Sequence, residues 1–317
     1  MNAPGLPGVP GICGIRGIWP ALMTPLREDA AIDLQRFTQH ANALLAAGCG
    51  GVTPFGTTGE GPSFSVDERR VAVDALVAAS VPASRILVSV SCAALPDTIA
   101  LARHAQGIGA WGILLMPPFF FKGVPDAGIV EAMSQVIAAL DARPLRVVLY
   151  HIPQVAAVGL SQPVIAELLR RHGPRIVAIK DSQCDRAHSL ALADAFMKAD
   201  DPAIGVHVGN ELDLPALAAR GSRGAVSGLA NFMPRTVHRL ATEPDAARTA
   251  ADHARVERLL GWLGGYALIP ALKAIMTAQT GHTGWLRVRA PLVALDAAQF
   301  KSCSQQLAAL GLDPSTD

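Results

Sequence analysis

RVVLYHIPQVAAVGLSQPVIAELLRRHGPRIVAIK, running from Arg146 to Lys180, is the stretch that decides the fold. Two short apolar runs, Arg146–Tyr150 and Ile176–Lys180, flank Ser161–Arg171, whose apolar residues recur at helical spacing. Ser161 followed by Gln162 and Pro163 marks a helix start, because serine caps the first turn and an early proline forfeits no hydrogen bond. Neither run alternates apolar with polar residues, so each predicts a strand covered on both faces. Strand, helix and strand in that order form a parallel unit.

The alternation extends in both directions. Further strands are predicted at Ile15–Met23, Gly51–Phe55, Ile86–Val90, Gly112–Met116, Ala203–Val208 and Gly224–Val226. Helical stretches fall at Asp33–Ala47, Asp67–Ser80, Pro96–Gln106, Gly128–Leu140 and Leu190–Lys198, and Ser65 with Glu68 three residues on reads as a capping box. Eight parallel strands are the number that closes a (β/α)8 TIM barrel, an α/β fold. Beyond it, Asp245–Trp262, Tyr266–Thr280 and Asp296–Leu310 read as helices. The expected organisation is a flexible N-terminal arm over 1–14, a barrel over 15–244, and a C-terminal helical extension over 245–317 packed on the barrel. The competing fold, a doubly wound open sheet, usually carries a glycine-rich turn directly after its first strand, and none is present.

Composition narrows the function classes. Of 317 residues, 50% are hydrophobic, ample for a large core, and 27 Lys and Arg balance 26 Asp and Glu to a net charge of +1. That balance, without clustered basic residues and interleaved aromatics, argues against nucleic acid as a partner. The five cysteines, Cys13, Cys49, Cys92, Cys184 and Cys303, form no Cys-x-x-Cys pair, so neither zinc nor a redox motif is indicated. Scattered thiols fit a reducing cytoplasm. The N-terminal MNAPGLPGVPGICG lacks a basic start and apolar run, so it reads as a loose arm and not as a signal peptide. The longest apolar run, Ile113–Phe121, is too short to span a bilayer, so a membrane partner is not expected.

Barrel enzymes carry their chemistry at the carboxyl ends of strands. Three places qualify. Gly56-Thr57-Thr58-Gly59-Glu60 follows the second strand; its glycines and hydroxyls suit a small carboxylate, and they equally suit an ordinary turn. Tyr150-His151-Ile152-Pro153 ends the fifth strand, where a tyrosine either relays protons or packs its ring, and His151 reads as a loop residue. Lys180 closes the sixth strand. A strand-end lysine is either solvated and ion-paired or, when apolar burial favours the neutral amine, a nucleophile. The G-x-G-x-x-G match at Gly107–Gly112 leads into a strand and does not follow one, so it is no dinucleotide site. No phosphate-loop Gly-Lys-Ser/Thr is present, and no histidine pair has helical metal spacing. His207, inside the seventh strand, reads as structural.

Taken in order, Pro20-Ala21-Leu22-Met23-Thr24-Pro25, Gly56-Thr57-Thr58-Gly59-Glu60, Tyr150-His151-Ile152-Pro153, Ile179-Lys180-Asp181-Ser182 and Gly224-Ala225-Val226-Ser227 resemble the dihydrodipicolinate synthase/N-acetylneuraminate lyase family. The resemblance implies a class I, Schiff-base-forming lyase or aldolase. Lys180 would attack a 2-keto acid, with pyruvate as common substrate or product and an aldehyde as second partner. Tyr150 would shuttle protons, and Thr57 would hydrogen-bond it. Gly56 and Thr58 would hold the carboxylate, with Val226, Gly209 and Ser227 as further substrate contacts. Neither metal nor organic cofactor is implied.

Three positions depart from the family. The arginine that holds the aldehyde's carboxylate in the synthases corresponds to Val155, the Thr-Gly after it to Ala156-Ala157, and a second relay tyrosine to Phe120. The Lys-Asp-Ser sequence is closer to the 2-keto-3-deoxy-sugar-acid and 4-hydroxy-2-oxoacid aldolases. Alternatives are a 4-hydroxy-tetrahydrodipicolinate (dihydrodipicolinate) synthase, a sugar-acid dehydratase and a non-catalytic 2-keto-acid-binding homologue. The resemblance and the apolar Phe119-Phe120-Phe121 loop point to a homotetramer, a dimer of dimers.

Overall fold

The computed structural model describes residues 15–140, 145–197, 204–243 and 245–309. The arm over 1–14, the start of the seventh predicted strand at Ala203 and the ends of two predicted helices, Lys198 and Leu310, lie outside the described residues.

Eight strands run parallel: β1 (Gly17–Leu22), β2 (Thr53–Pro54), β3 (Leu87–Ser89), β4 (Gly112–Leu115), β5 (Arg146–His151), β6 (Ile176–Asp181), β7 (Gly205–Val208) and β8 (Gly224–Ser227). The helices are α1 (Leu34–Ala46), α2 (Val66–Ala78), α3 (Leu95–Gly107), α4 (Asp126–Ala138), α5 (Pro153–Ala156), α6 (Gln162–His172), α7 (Arg186–Phe196), α8 (Leu214–Ala219), α9 (Pro234–Thr242), α10 (Ala246–Leu263), α11 (Leu268–Thr280) and α12 (Ala297–Ala309). The fold is a (β/α)8 barrel. Strands β3 to β7 pair in sequence order, while β1 lies between β2 and β8. A bridge from Val52 to Ile86 joins the two sheets at β2 and β3.

Side-chain alternation along the strands sorts the core into two layers. Trp19, Ala21, Leu87, Leu114, Val148, Tyr150, Ala178 and Val226 pack inside the barrel, and a larger cluster fills the space between strands and helices. His207 is buried and pairs in register with Lys180 across β6 and β7. Its Nε2 accepts from the Ile15 N–H at 3.1 Å and its Nδ1 lies 2.9 Å from the Gly224 carbonyl, the structural role expected of it.

Local signals explain the element bounds. The Ser65–Glu68 capping box is present at α2, and the Ser161 side chain caps α6. Helix α7 begins at Arg186, four residues before the predicted start, because the Asp185 carboxylate accepts from Ala187 and His188 N–H. Helices α8 and α9 were not anticipated; proline at an early position of each was the available signal. Predicted β2 spanned five residues and the strand has two. Phe55 already has φ of 62°, which turns the chain out of the ladder. No helix among the described residues is long and apolar enough to cross a membrane.

Candidate active site

Register brings the two central groups together. Tyr150 and Lys180 are direct partners across β5 and β6, and both side chains point into the barrel. Lys180 is 4% exposed, and its Nζ lies over the Tyr150 ring at 4.2 Å from the centroid. The Tyr150 hydroxyl is 3.1 Å from Thr57 Oγ1. One lysine amine, one phenol and one threonine hydroxyl therefore meet at the strand ends.

The loop carrying Thr57 and Thr58 is held by contacts no larger residue would permit. A Cβ on Gly59 would meet the Leu22 carbonyl at 2.6 Å, and one on Gly61 would meet the Phe55 carbonyl at 2.0 Å. Glu60 takes a left-handed φ of 57°, Thr24 Oγ1 donates to the Gly59 carbonyl, and Gly61 N–H donates to that of Gly56. Gly56 is buried, while Thr57 and Thr58 are half-buried. Thr58 Oγ1 closes on the loop after β8, 3.2 Å from where a Gly228 Cβ would stand.

Gly209 follows β7 and donates its N–H to the Asp181 carbonyl at 2.8 Å. A Cβ there would sit 2.2 Å from Ser182 Oγ and 3.4 Å from Lys180 Cε. Gly209→Ala should therefore displace Ser182 and crowd the lysine, costing about 1–3 kcal/mol of stability as overpacking does. Denaturant unfolding should show that loss, and Ser182→Ala in the same chain should restore most of it. An unchanged midpoint for Gly209→Ala alone counts against this packing.

The other expected contacts divide. Val226 is buried inside the barrel. The Ser227 hydroxyl is engaged within the protein, donating to Glu211 Oε1 at 2.5 Å and accepting from Ala230 N–H. Val155, in α5, is 61% exposed. Phe120 and Phe121 are exposed with rings 5.2 Å apart, whereas Phe119 is half-buried against the inner cluster.

Sequence reasoning missed Glu211. It is 4% exposed in the loop after β7, and its Oε1 also accepts from Leu229 N–H. Burial raises its pKa, opposed by the Ser227 hydroxyl, backbone donors and the charge of Lys180. Its position two residues beyond Gly209 at a strand end was the only advance signal.

His151 is not a loop residue. It ends β5, buried, paired in register with Asp181 on the outer side of the same two strands that carry Tyr150 and Lys180 within. Its ring stacks on His188 at 4.8 Å, and His151, Asp181 and His188 bring ligand-type atoms within 4.8 Å of one another. Hydrogen bonding claims these atoms first. His151 Nδ1 accepts from Leu160 N–H at 2.8 Å, so in the neutral ring Nε2 holds the proton and donates to Gln183 Oε1. Burial lowers the His151 pKa and favours that neutral ring. Asp181 Oδ2 accepts from Ser189 Oγ at 2.7 Å and lies 2.9 Å from His188 Nδ1.

The dihydrodipicolinate synthetase family model matches residues 14–310. The chain belongs to that family. An uncharacterized DapA-like lyase of Chloroflexus aurantiacus is 34% identical over 281 residues, 88% of this chain and 91% of the relative. Dihydrodipicolinate synthase from Agrobacterium tumefaciens superposes with a TM-score of 0.86 at 31% identity, covering 93% of this chain and 99% of that one. A 2-keto-3-deoxygluconate aldolase variant of Sulfolobus solfataricus shares the fold at 20% identity, with a TM-score of 0.82 over 93% and 96% of the two chains. The synthase and the aldolase share the barrel described above.

Proposed function

We propose that the protein is a class I lyase or aldolase that joins or releases pyruvate through a Schiff base on Lys180. The observation that carries this reading is the buried Lys180 Nζ above the Tyr150 ring, with Thr57 on the tyrosine hydroxyl. In the cleavage direction the Lys180 lone pair attacks C2 of the 2-keto acid, and loss of the keto oxygen as water leaves a protonated imine. Tyr150 takes the proton from the C4 hydroxyl, the C3–C4 bond breaks, and its electrons pass to the imine as an enamine. The aldehyde departs. Protonation at C3 and hydrolysis release pyruvate and return the amine. Fixed amide and hydroxyl donors of Gly56, Thr57 and Thr58 hold the carboxylate through these changes.

The aldehyde side favours a 2-keto-3-deoxy-sugar acid or 4-hydroxy-2-oxoacid. Val155 offers no charge to a carboxylated aldehyde, and α5 exposes it. The names of relatives such as the 4-hydroxy-tetrahydrodipicolinate synthase of Acidiphilium cryptum, 30% identical, favour a second reading as that synthase. A charge-assisted contact is worth about 1.5–3 kcal/mol, so its absence should weaken aspartate semialdehyde roughly 10- to 100-fold. Mass-spectrometric assay of pyruvate with an aldehyde panel decides between them. Polyhydroxy or simple aldehydes should condense and aspartate semialdehyde should lag; the reverse order would establish the synthase.

A reducing cytoplasm and a dimer-of-dimers tetramer belong to this reading, the latter supported by the two exposed rings of Phe120 and Phe121. Light scattering at micromolar concentration should give four chains. A monomer defeats the interface.

A further inference from the structure

The helical extension reaches the loop to which the proposed function gives the keto-acid carboxylate. Lys273, in the middle of α11, forms an ion pair with Glu60 in which both side chains are completely buried. The same ammonium donates to the Arg287 carbonyl at 2.6 Å. Glu60 is the last residue of the Gly56–Glu60 loop, and its backbone N–H donates to the Thr57 carbonyl at 3.0 Å. Its Oε2 accepts from Arg289 N–H at 3.4 Å, and the Arg289 guanidinium grips Glu68 of α2 and the Ser63 and Ala30 carbonyls.

The loop is thus pressed from two sides. On one, Gly59 lies against the Leu22 carbonyl at the end of β1, too close for any side chain. On the other, Glu60 is tied to α11. Burying two opposite charges is costly compared with an apolar pair of equal volume, and its recompense is a fixed, directional distance. The Schiff-base chemistry uses neither group. We propose that Lys273 is a positioning residue that, through Glu60, sets the Thr57–Thr58 turn at the spacing where its donors take a 2-keto-acid carboxylate, so that α11 is part of the substrate site.

This rests on the reading of the loop as the carboxylate holder, and the test separates the two. Pyruvate and acetone, the same ketone with methyl in place of carboxylate, are trapped on the protein with borohydride. Lys273→Met and Glu60→Gln/Lys273→Met should lose at least about 10-fold of the preference for pyruvate, the scale of a charge-assisted contact. Acetone trapping should stay within about twofold, since Lys180 is untouched. Lys273→Arg should retain most of the preference. The double variant removes both buried charges together and so keeps the fold testable if Lys273→Met does not fold. Amide exchange over residues 57–61 should be at least about 10-fold faster in the double variant, as local opening becomes easier. Undiminished preference for pyruvate in the double variant overturns the inference, and so does wild-type exchange of those amides. Absence of any pyruvate adduct on the unaltered protein instead sinks the Schiff-base reading, and the exchange rates still decide whether Lys273 holds the loop.

Discussion

Lys180→Ala is expected to abolish both turnover and the borohydride-stable adduct with pyruvate. The amine is an electron sink only after it becomes an imine, and no general base replaces a covalent intermediate. Two other lysines serve as internal controls. Lys122 Nζ sits at an exposed turn against the Phe119 and Phe120 carbonyls, and Lys273 is sealed in its ion pair with Glu60. Neither has Tyr150 or Thr57 among these contacts. Peptide mapping of the reduced adduct should therefore place it on the peptide holding Lys180. Tyr150→Phe separates the steps differently. Loss of a positioned proton carrier commonly costs about 10²- to 10⁴-fold in rate. Imine formation should persist in that variant, because the amine remains. Labelling of Lys122 or Lys273, with Lys180→Ala still active, would refute the assignment.

Acid should weaken the fold through two histidines that the proposed chemistry does not use. Burial lowers His40 and His207 from 6.5 to about 4, so both are neutral in the native state at pH 7. Burial is the cause, opposed by the Asn231 contact of His40 and by the Gly224 carbonyl beside His207. His207 Nε2 accepts from the Ile15 N–H and has no room for a proton, while His40 lies 3.0 Å from Asn231 Oδ1 and edge-on to Trp285. Unfolding frees each to titrate near its ordinary value, so the unfolded chain binds more protons between about pH 6.5 and 4. Stability is therefore full above that window and is lost as pH falls through it. Each shift corresponds to up to about 3 kcal/mol. Glu211, whose pKa burial raises, pulls the other way and offsets part of the loss. Denaturant midpoints measured from pH 7 to 4.5 should fall steeply, and His40→Gln should flatten the curve. A flat profile in the unaltered protein would contradict the buried neutral state of both rings.

What the sequence discloses depends on whether a contact is local. Each strand announces itself as a short apolar run between turn residues, and the order of strands alone puts Tyr150 and Lys180 at adjacent strand ends. Strand length is less visible. Phe55 is apolar and reads as strand, yet it turns left-handed because Gly61 must pass beneath its carbonyl. Helix α9 carries Arg235, His238 and Arg239 on its outer face, which thins its apolar signal, and its proline start went unread. What went unread at three residues depends on partners outside their own element. Glu211 acquires meaning from Ser227, His151 from His188, and Lys273 from Glu60, more than two hundred positions away along the chain. No periodicity encodes such pairs.

The order of strands bears on how the chain assembles as it is made. From β3 to β7 each strand finds its partner in the segment just synthesised, so five-eighths of the wall can form progressively. The first strand has no such fortune. Gly17–Pro20 must wait for Gly224–Ser227, some two hundred residues later, before its second edge is covered. Contacts of that separation form slowly, and an uncovered edge invites pairing with another nascent chain. The seam between β1 and β8 is therefore the step at which crowded ribosomes would lose this protein to aggregation, and the place where a chaperone would matter most.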